Sequence, residues 1–210
     1  MTHVAESFAW PFRGQWRSTW AIGIVVVLLL PLLFIALLGY AIAATRAAEK
    51  NPSAGPPTWR VSARLLSDGL WTSVAVLLTV APFALILDPL AMLLRGARTG
   101  EPYAHVVAFF VLALPWGLVA LLHMPHATAA FAASGKRLDL FNVRASVRDV
   151  RRDFMTWNAA AAAIVTGWVI GLACVGLLCI GIVPGIFYAI LVSAHASAAL
   201  HRPDPNPSAG

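Results

Sequence analysis

Two histidines near the middle of the sequence have a spacing that metal sites use. His123 and His126, in "LLHMPH", are three residues apart, which puts both rings on one face of a helix. No third ligand lies near them in sequence, and Pro125 interrupts the helix between them. We therefore interpret the pair as polar residues at the end of a membrane span, and we predict no metal site.

His195 and Asp88 are weak polar candidates. His195 lies within the last apolar run, where an imidazole must find a partner. It could relay protons or contact a cofactor, or it could simply bond to Ser193, Ser197 or a facing helix. Asp88 adjoins an apolar run, but Asp88–Pro89 is also typical of a helix N-cap followed by proline at the first helical position.

The cysteines and the remaining polar residues form no recognisable reactive set. Cys174 and Cys179 are five residues apart, about 140° around a helix, so they cannot form a disulfide there, and we interpret both as small hydrophobic residues. The sequence contains no serine–histidine–acid set, phosphate-binding glycine loop or paired carboxylates in register. We therefore expect no catalytic residue, no metal and no cofactor, and we do not expect an enzyme.

The composition is that of a membrane protein. Of the 210 residues, 60% are hydrophobic and only 11% are charged, whereas soluble domains have about 25% charged residues. The net charge is +6, and all 15 Lys and Arg lie in the connections between apolar runs. This distribution suits loops at a membrane surface. We therefore expect the lipid bilayer, and no nucleic acid, as a partner.

The apolar runs predict an all-α, polytopic helical membrane protein. An interfacial segment covers residues 1–19, a single helical membrane domain covers 20–201, and a disordered tail covers 202–210. The domain contains about five transmembrane helices, at about 20–44, 70–88, 103–125, 155–178 and 183–201. An alternative has four spans plus an N-terminal re-entrant hairpin bent at Pro31.

The distribution of Lys and Arg orients both topologies. Five spans place 11 of these residues on one side and 4 on the other, whereas the hairpin alternative places 13 on one side and 2 on the other. A hairpin tip needs surrounding protein to satisfy its backbone, so both topologies stay open. Both predict a multi-pass protein with its C-terminus and the segment 136–153 in the cytoplasm.

The most charged part of the chain predicts a cytoplasmic amphipathic helix near 139–154. Apolar residues recur there at steps of three and four, flanked by Arg144, Arg148, Arg151 and Arg152. Lying flat on the membrane, such a helix would turn its arginines toward anionic headgroups or a partner. A surface helix packed on the protein's own loops would have the same pattern.

Small residues at four-residue steps predict close helix packing. The two pairs are Gly167 with Gly171 and Gly181 with Gly185. Such residues let helix backbones approach closely, either within one bundle or between chains. We therefore expect other membrane subunits or self-association as partners.

The order of several motifs resembles that of a known family. "LLPLLFIALLGY" is followed by basic residues, "PPTW" and "LLSDGL", then by "FAASGKRLDLFNVRASVRDVRRD" and "CIGIVPGIFYAILVSAHASAALHR". This order resembles the prokaryotic integral membrane family catalogued as domain of unknown function 4013, over about residues 20–202. The acidic residue that the family usually has ahead of its loop tryptophan is absent before Trp59. The resemblance implies a helical protein of a prokaryotic cytoplasmic (inner) membrane and no assigned chemistry.

Together these features favour a non-catalytic integral membrane protein. It would be a subunit, scaffold or lipid-organising component that packs through small-residue helix faces. An alternative is a small transporter or channel-like protein with helices broken at Pro31 and Pro184, although the spans have little polar lining. A third hypothesis, an intramembrane enzyme, rests on His195 and the pair His123 and His126.

Overall fold

The chain is helical throughout the part that the structure describes. The computed structural model describes residues 2–96, 103–176 and 181–201, and it has no strand within these ranges. The prediction of an all-α protein is confirmed. Cys179 and the predicted tail at 202–210 lie outside the described residues. The α-helices are α1 (Thr2–Ala9), α2 (Trp16–Leu28), α3 (Leu30–Lys50), α4 (Ala63–Gly96), α5 (Ala104–Ser134), α6 (Val143–Arg152), α7 (Phe154–Ala173) and α8 (Ile182–Ala198).

Five of these helices, α3, α4, α5, α7 and α8, are long and apolar enough to cross a membrane. This number confirms the prediction of about five. At 1.5 Å per residue, the 20 residues of α7 extend about 30 Å, which matches the hydrocarbon thickness of a bilayer. The 34 residues of α4 extend about 50 Å, so its ends reach beyond that layer.

The first apolar run, expected as a single span at 20–44, is divided into two helices. α2 ends at Leu28 and α3 begins at Leu30. The backbone of Leu29, between them, leaves helical geometry at φ −94° and ψ 26°. Pro31 lies in the first turn of α3, where its missing N–H costs no helical hydrogen bond. Leu33 has a second non-helical conformation, φ −109° and ψ 15°. The chain therefore bends at the place that the hairpin alternative requires.

Contacts across the bend show that α2 and α3 run back along each other. The hydroxyl of Thr19 in α2 and that of Tyr40 in α3 both donate to the carbonyl oxygen of Pro57, over 3.5 Å and 2.8 Å. In one straight helix these two residues would be about 31 Å apart. The segment is therefore a helical hairpin bent beside Pro31, and α3 is one of the five helices long enough to span.

α4 and α5 differ from expectation because they continue through prolines. α4 passes Pro82 and Pro89 to Gly96, so Asp88 does not cap a new helix as its sequence suggested. The Trp116 indole donates to the Thr79 carbonyl oxygen over 2.7 Å, one turn before Pro82. The carbonyl that Pro82 frees is that of Leu78, four residues before it, so the Trp116 bond joins α4 to α5 near this proline without replacing the lost bond.

The polar connection after α5 contains well-defined helix ends. Gly135 ends α5 with φ +70°, a conformation that favours glycine, and its N–H donates to the carbonyl of Phe131. A 3₁₀ turn, Arg137–Phe141, follows. The side chain of Asn142 caps α6, and that of Asp153 caps α7. The predicted amphipathic segment near 139–154 is thus a short turn followed by a ten-residue helix.

α8 lies at the centre of the bundle. It packs against α7 on one side and against both arms of the α2–α3 hairpin on the other. Phe187 and Leu191 of α8 share a buried cluster with Leu37 and Tyr40 of α3. The arms of the hairpin are therefore held by protein contacts, whereas the side chains of Leu28, Leu29 and Leu32 at its tip are exposed.

Candidate functional site

Four polar segments meet on one face of the molecule. The turn at Gly14 lies against the carbonyl of Ala54, and Gly55, with φ +85°, lies against the backbone of Arg13. At the other side of this face, residues 199–201, which follow α8, contact the end of α5. We call the four segments, residues 10–17, 51–62, 136–153 and 199–201, the basic face.

The "PPTW" motif joins the two arms of the hairpin to the basic face. The Trp59 ring stacks on that of Tyr40, with centroids 3.9 Å apart and planes 8° apart. Its indole nitrogen donates to the Thr19 carbonyl over 3.1 Å. Phe187 of α8 contacts the same stack, with its centroid 6.0 Å from that of Tyr40. This aromatic stack gives the motif a structural role that its sequence did not reveal.

His195 is held by the N-terminal segment. It is 1% exposed, and its Nδ1 lies 2.9 Å from the Ser7 hydroxyl. Its ring also lies 5.3 Å from that of Trp10, which is fully buried and so is not the interfacial residue expected within 1–19. The partner Ser7 lies on a facing helix, α1, as one of the expected alternatives has it, and it is 188 residues away in sequence.

His123 and His126 are buried between α5 and the polar connection. The Nε2 of His123 donates to the Leu140 carbonyl over 3.1 Å, and its Nδ1 lies 3.1 Å from the Ser146 hydroxyl. His126 is 6% exposed, and neither of its ring nitrogens has a hydrogen-bond partner among the described residues. His123 therefore anchors the turn and α6 to the membrane bundle. Within the described ranges, no three His, Cys, Asp or Glu residues are placed to hold a metal.

The four arginines of α6 are exposed, while one face of this helix packs on the protein itself. Ser146 and Val150 are buried, and α6 contacts α5. Val143 and Phe154, expected in the buried stripe, are 50% and 56% exposed. α6 thus has features of both predicted alternatives. One face packs on the bundle, and its arginines are exposed beside apolar side chains, as in a helix that lies on a membrane. Those arginines are Arg144, Arg148, Arg151 and Arg152.

Asp88 lies in the half of α4 that is remote from the basic face. Its carboxylate is 3.3 Å from the Nε2 of His105, and its side chain is 75% exposed. Arg95 is 3.4 Å from the other ring nitrogen of His105. The three side chains form an exposed polar group at the far ends of α4 and α5.

The predicted packing glycines lie at contacts within the chain. Gly171 of α7 and Gly185 of α8 face each other so closely that an added Cβ on either would meet the other's carbonyl oxygen. A Cβ at Gly167 would lie 2.9 Å from the Val192 side chain. Gly181 lies against the Cys174 carbonyl in the turn. The small-residue faces are thus covered by the chain's own helices.

An ion pair between α3 and α4 is the charged feature that the sequence did not suggest. Both terminal nitrogens of Arg46 donate to Asp68 Oδ2 over 3.2 Å, and its Nε donates to the Ala132 carbonyl over 3.0 Å. The two side chains are only 17% and 13% exposed. A motif search misses this pair because its members are 22 residues apart on different helices. In the sequence, the ion pair was indicated only weakly, by an arginine and an aspartate next to apolar runs.

Comparison with known proteins gives one result. A family model described as "Protein of unknown function (DUF4013)" matches residues 22–183, well over half of the chain. No curated protein and no solved structure matches the chain.

Proposed function

The chain belongs to the DUF4013 family, and from that premise we propose that it is a non-catalytic, multi-pass protein of a prokaryotic cytoplasmic membrane. Its role would be that of a scaffold or lipid-organising component. The basic face would contact anionic headgroups on the cytoplasmic side. The observation that carries this proposal is that three segments bearing Arg or Lys, residues 10–17, 51–62 and 136–153, lie at one end of the bundle.

The charge distribution supports the proposed orientation. With α2 and α3 folded as a hairpin, 12 of the 13 Lys and Arg among the described residues belong to segments on the side of the basic face. The thirteenth, Arg95, lies near the opposite end of α4. Cytoplasmic loops carry the excess of Lys and Arg in membrane proteins, so we assign the basic face to the cytoplasm.

α6 supports the proposed contact with lipid. Its exposed arginines lie beside the exposed Val143 and Phe154, as suits a helix at the boundary between headgroups and acyl chains. Each Lys or Arg near an anionic surface contributes about 1 kcal/mol of attraction. Four arginines on one short helix would therefore favour an anionic lipid shell.

Extraction of the protein from native membranes with a polymer that keeps its lipid shell tests this proposal. The shell of the wild-type protein should be enriched in anionic phospholipid relative to the bulk membrane. A variant with glutamine at 144, 148, 151 and 152 should lose most of that enrichment, whereas Arg95→Gln, at the far end, should keep it. A wild-type shell with the bulk composition would contradict the proposal.

The subunit, transporter and enzyme roles remain predictions. The glycine pairs no longer argue for a partner subunit, because α7 and α8 already use them on each other. A transporter would use the broken α2–α3 hairpin, and an enzyme would use His195. The arrangement of His195 with Ser7 favours anchoring of the N-terminal segment. A protein that co-purifies in the same polymer particles would support the subunit role.

A further inference from the structure

A small cavity opens beside the basic face, where α3 and α4 leave the bundle. Its volume is about 130 Å³, and its lining includes Arg46, Arg60, Arg64 and Asp68. Tyr40 also lines the cavity, and its ring stacks on that of Trp59, so the aromatic stack lies beside the cavity. Tyrosine and tryptophan are typical of the headgroup layer. The cavity therefore lies at a depth that a lipid headgroup can reach.

The lining carries an excess of positive charge. Arg46 and Asp68 neutralise each other through the two bonds over 3.2 Å. Arg64 lies 4.0 Å from the same carboxylate oxygen and is exposed, whereas Arg60 has no ion-pair partner within the described residues. One carboxylate against three guanidinium groups leaves a charge of +2 on the cavity wall.

The ion pair also fixes the direction of one guanidinium. Three of the five N–H groups of Arg46 are engaged by Asp68 and by the Ala132 carbonyl. The other two N–H groups of Arg46 are therefore held beside the cavity. A ligand that accepts hydrogen bonds from them does not have to order this side chain further. The start of α4 lines the cavity as well, through Leu65 and through Ser62, whose hydroxyl accepts from the Leu65 N–H, and a helix N-terminus favours negative charge.

We propose that this cavity binds a phosphate monoester group. Such a group carries up to two negative charges and three terminal oxygens, which match a wall of charge +2 that is built from guanidinium forks. The group could belong to a lipid headgroup or to free phosphate. The lipid source rests on the proposed contact of the basic face with anionic lipid, whereas the free source does not.

The test uses the full chain in mild detergent and compares two double variants of equal charge. Arg60→Gln with Arg64→Gln changes the cavity. Lys50→Gln with Arg95→Gln changes two exposed cations outside the cavity and outside the basic face, and it is the matched control. All four side chains are exposed, so the variants should fold as the wild type does. The probes are phosphatidic acid, phosphatidylglycerol, which is a diester, and inorganic phosphate, each titrated against thermal unfolding.

Wild type and the control variant should bind phosphatidic acid or inorganic phosphate, and the cavity variant should bind it at least about tenfold more weakly. Binding of inorganic phosphate alone would support the cavity while contradicting the lipid role proposed above. Equal binding by the cavity variant and wild type would overturn the inference. Equal loss in both double variants, or equal affinity of wild type for the monoester and the diester lipid, would overturn it as well.

Discussion

Substitution of Gly171 by alanine tests the packing of α7 on α8 most sharply. An added methyl group would meet the carbonyl oxygen of Gly185 and lie 3.3 Å from the Ala189 side chain. The first neighbour is backbone, so it cannot rotate away and the two helices must separate. Overpacking costs about 1–3 kcal/mol. We expect the upper half of this range for Gly171→Ala.

Gly117→Ala in α5 is the matched control. No other atom lies within 4 Å of the position that its Cβ would occupy. Alanine is also preferred over glycine inside a helix by about 0.5–1 kcal/mol. The two substitutions, chemically identical, should therefore have effects of opposite sign.

Thermal unfolding in mild detergent, followed by tryptophan fluorescence, measures this difference. For a chain of this size, about 2–3 kcal/mol corresponds to a Tm lower by about 5–10 °C for Gly171→Ala. Gly117→Ala should leave Tm unchanged or raise it slightly. Equal Tm values for the two variants would refute close packing of α7 on α8. A change in the sedimentation of Gly171→Ala without a change in Tm would mean that the glycine face binds another chain.

Three further predictions concern single contacts. Asp153→Ala should cost about 1 kcal/mol of stability through loss of the helix cap. Hydrogen bonds from the hydroxyl and backbone N–H of the threonine three residues later lower the pKa of Asp153. Its stabilising effect should therefore be complete at neutral pH, and the Tm gap to the variant should shrink as pH falls below about 4. Trp59→Phe keeps the aromatic stack but loses the bond to Thr19, so it should lower stability by about 1 kcal/mol, whereas Trp59→Ala should cost more. His123→Phe strands a carbonyl of the 3₁₀ turn and should cost about 1–3 kcal/mol, more than His126→Phe, because the His126 ring makes no hydrogen bond within the described part of the chain. Tm measurements on each pair of variants check these orders.

The sequence was sufficient for the helical class and for the small-residue contacts, because both depend on local pattern. Apolar runs of sufficient length indicate membrane helices whatever surrounds them. The four-residue spacing likewise puts Gly167 and Gly171 on one face of α7. That this face meets α8 of the same chain depended on packing, which the spacing does not encode.

The hairpin could be named only as an alternative, because its cause lies elsewhere in the chain. An uncharged run of span length either crosses the membrane or bends, and Pro31 permits both. Its bend is held by Pro57 and Trp59, and by the ring of Phe187 against Gly23. These contacts bring together residues that are far apart in sequence.

Local rules also failed where a helix continues through a proline. Pro89 after Asp88 predicts a helix start, yet α4 continues because it is packed along α5. The charged cavity was missed for a related reason. Arg46 and Asp68 have ordinary surroundings in sequence and become a site only when α3 and α4 cross at Gly39 and Gly69.

Accessibility labelling of the two ends of the hairpin is the most direct test of the account. In a background with Cys174→Ala and Cys179→Ala, the single substitutions Gln15→Cys, Ser53→Cys and Tyr103→Cys are each exposed to a membrane-impermeant thiol reagent. The reagent is applied to intact cells and to inverted membrane vesicles. A helical hairpin with a cytoplasmic basic face gives labelling at 15 and 53 from the cytoplasmic side only, and at 103 from the opposite side only. Labelling of 15 and 53 from opposite sides would contradict the hairpin and the basic face together.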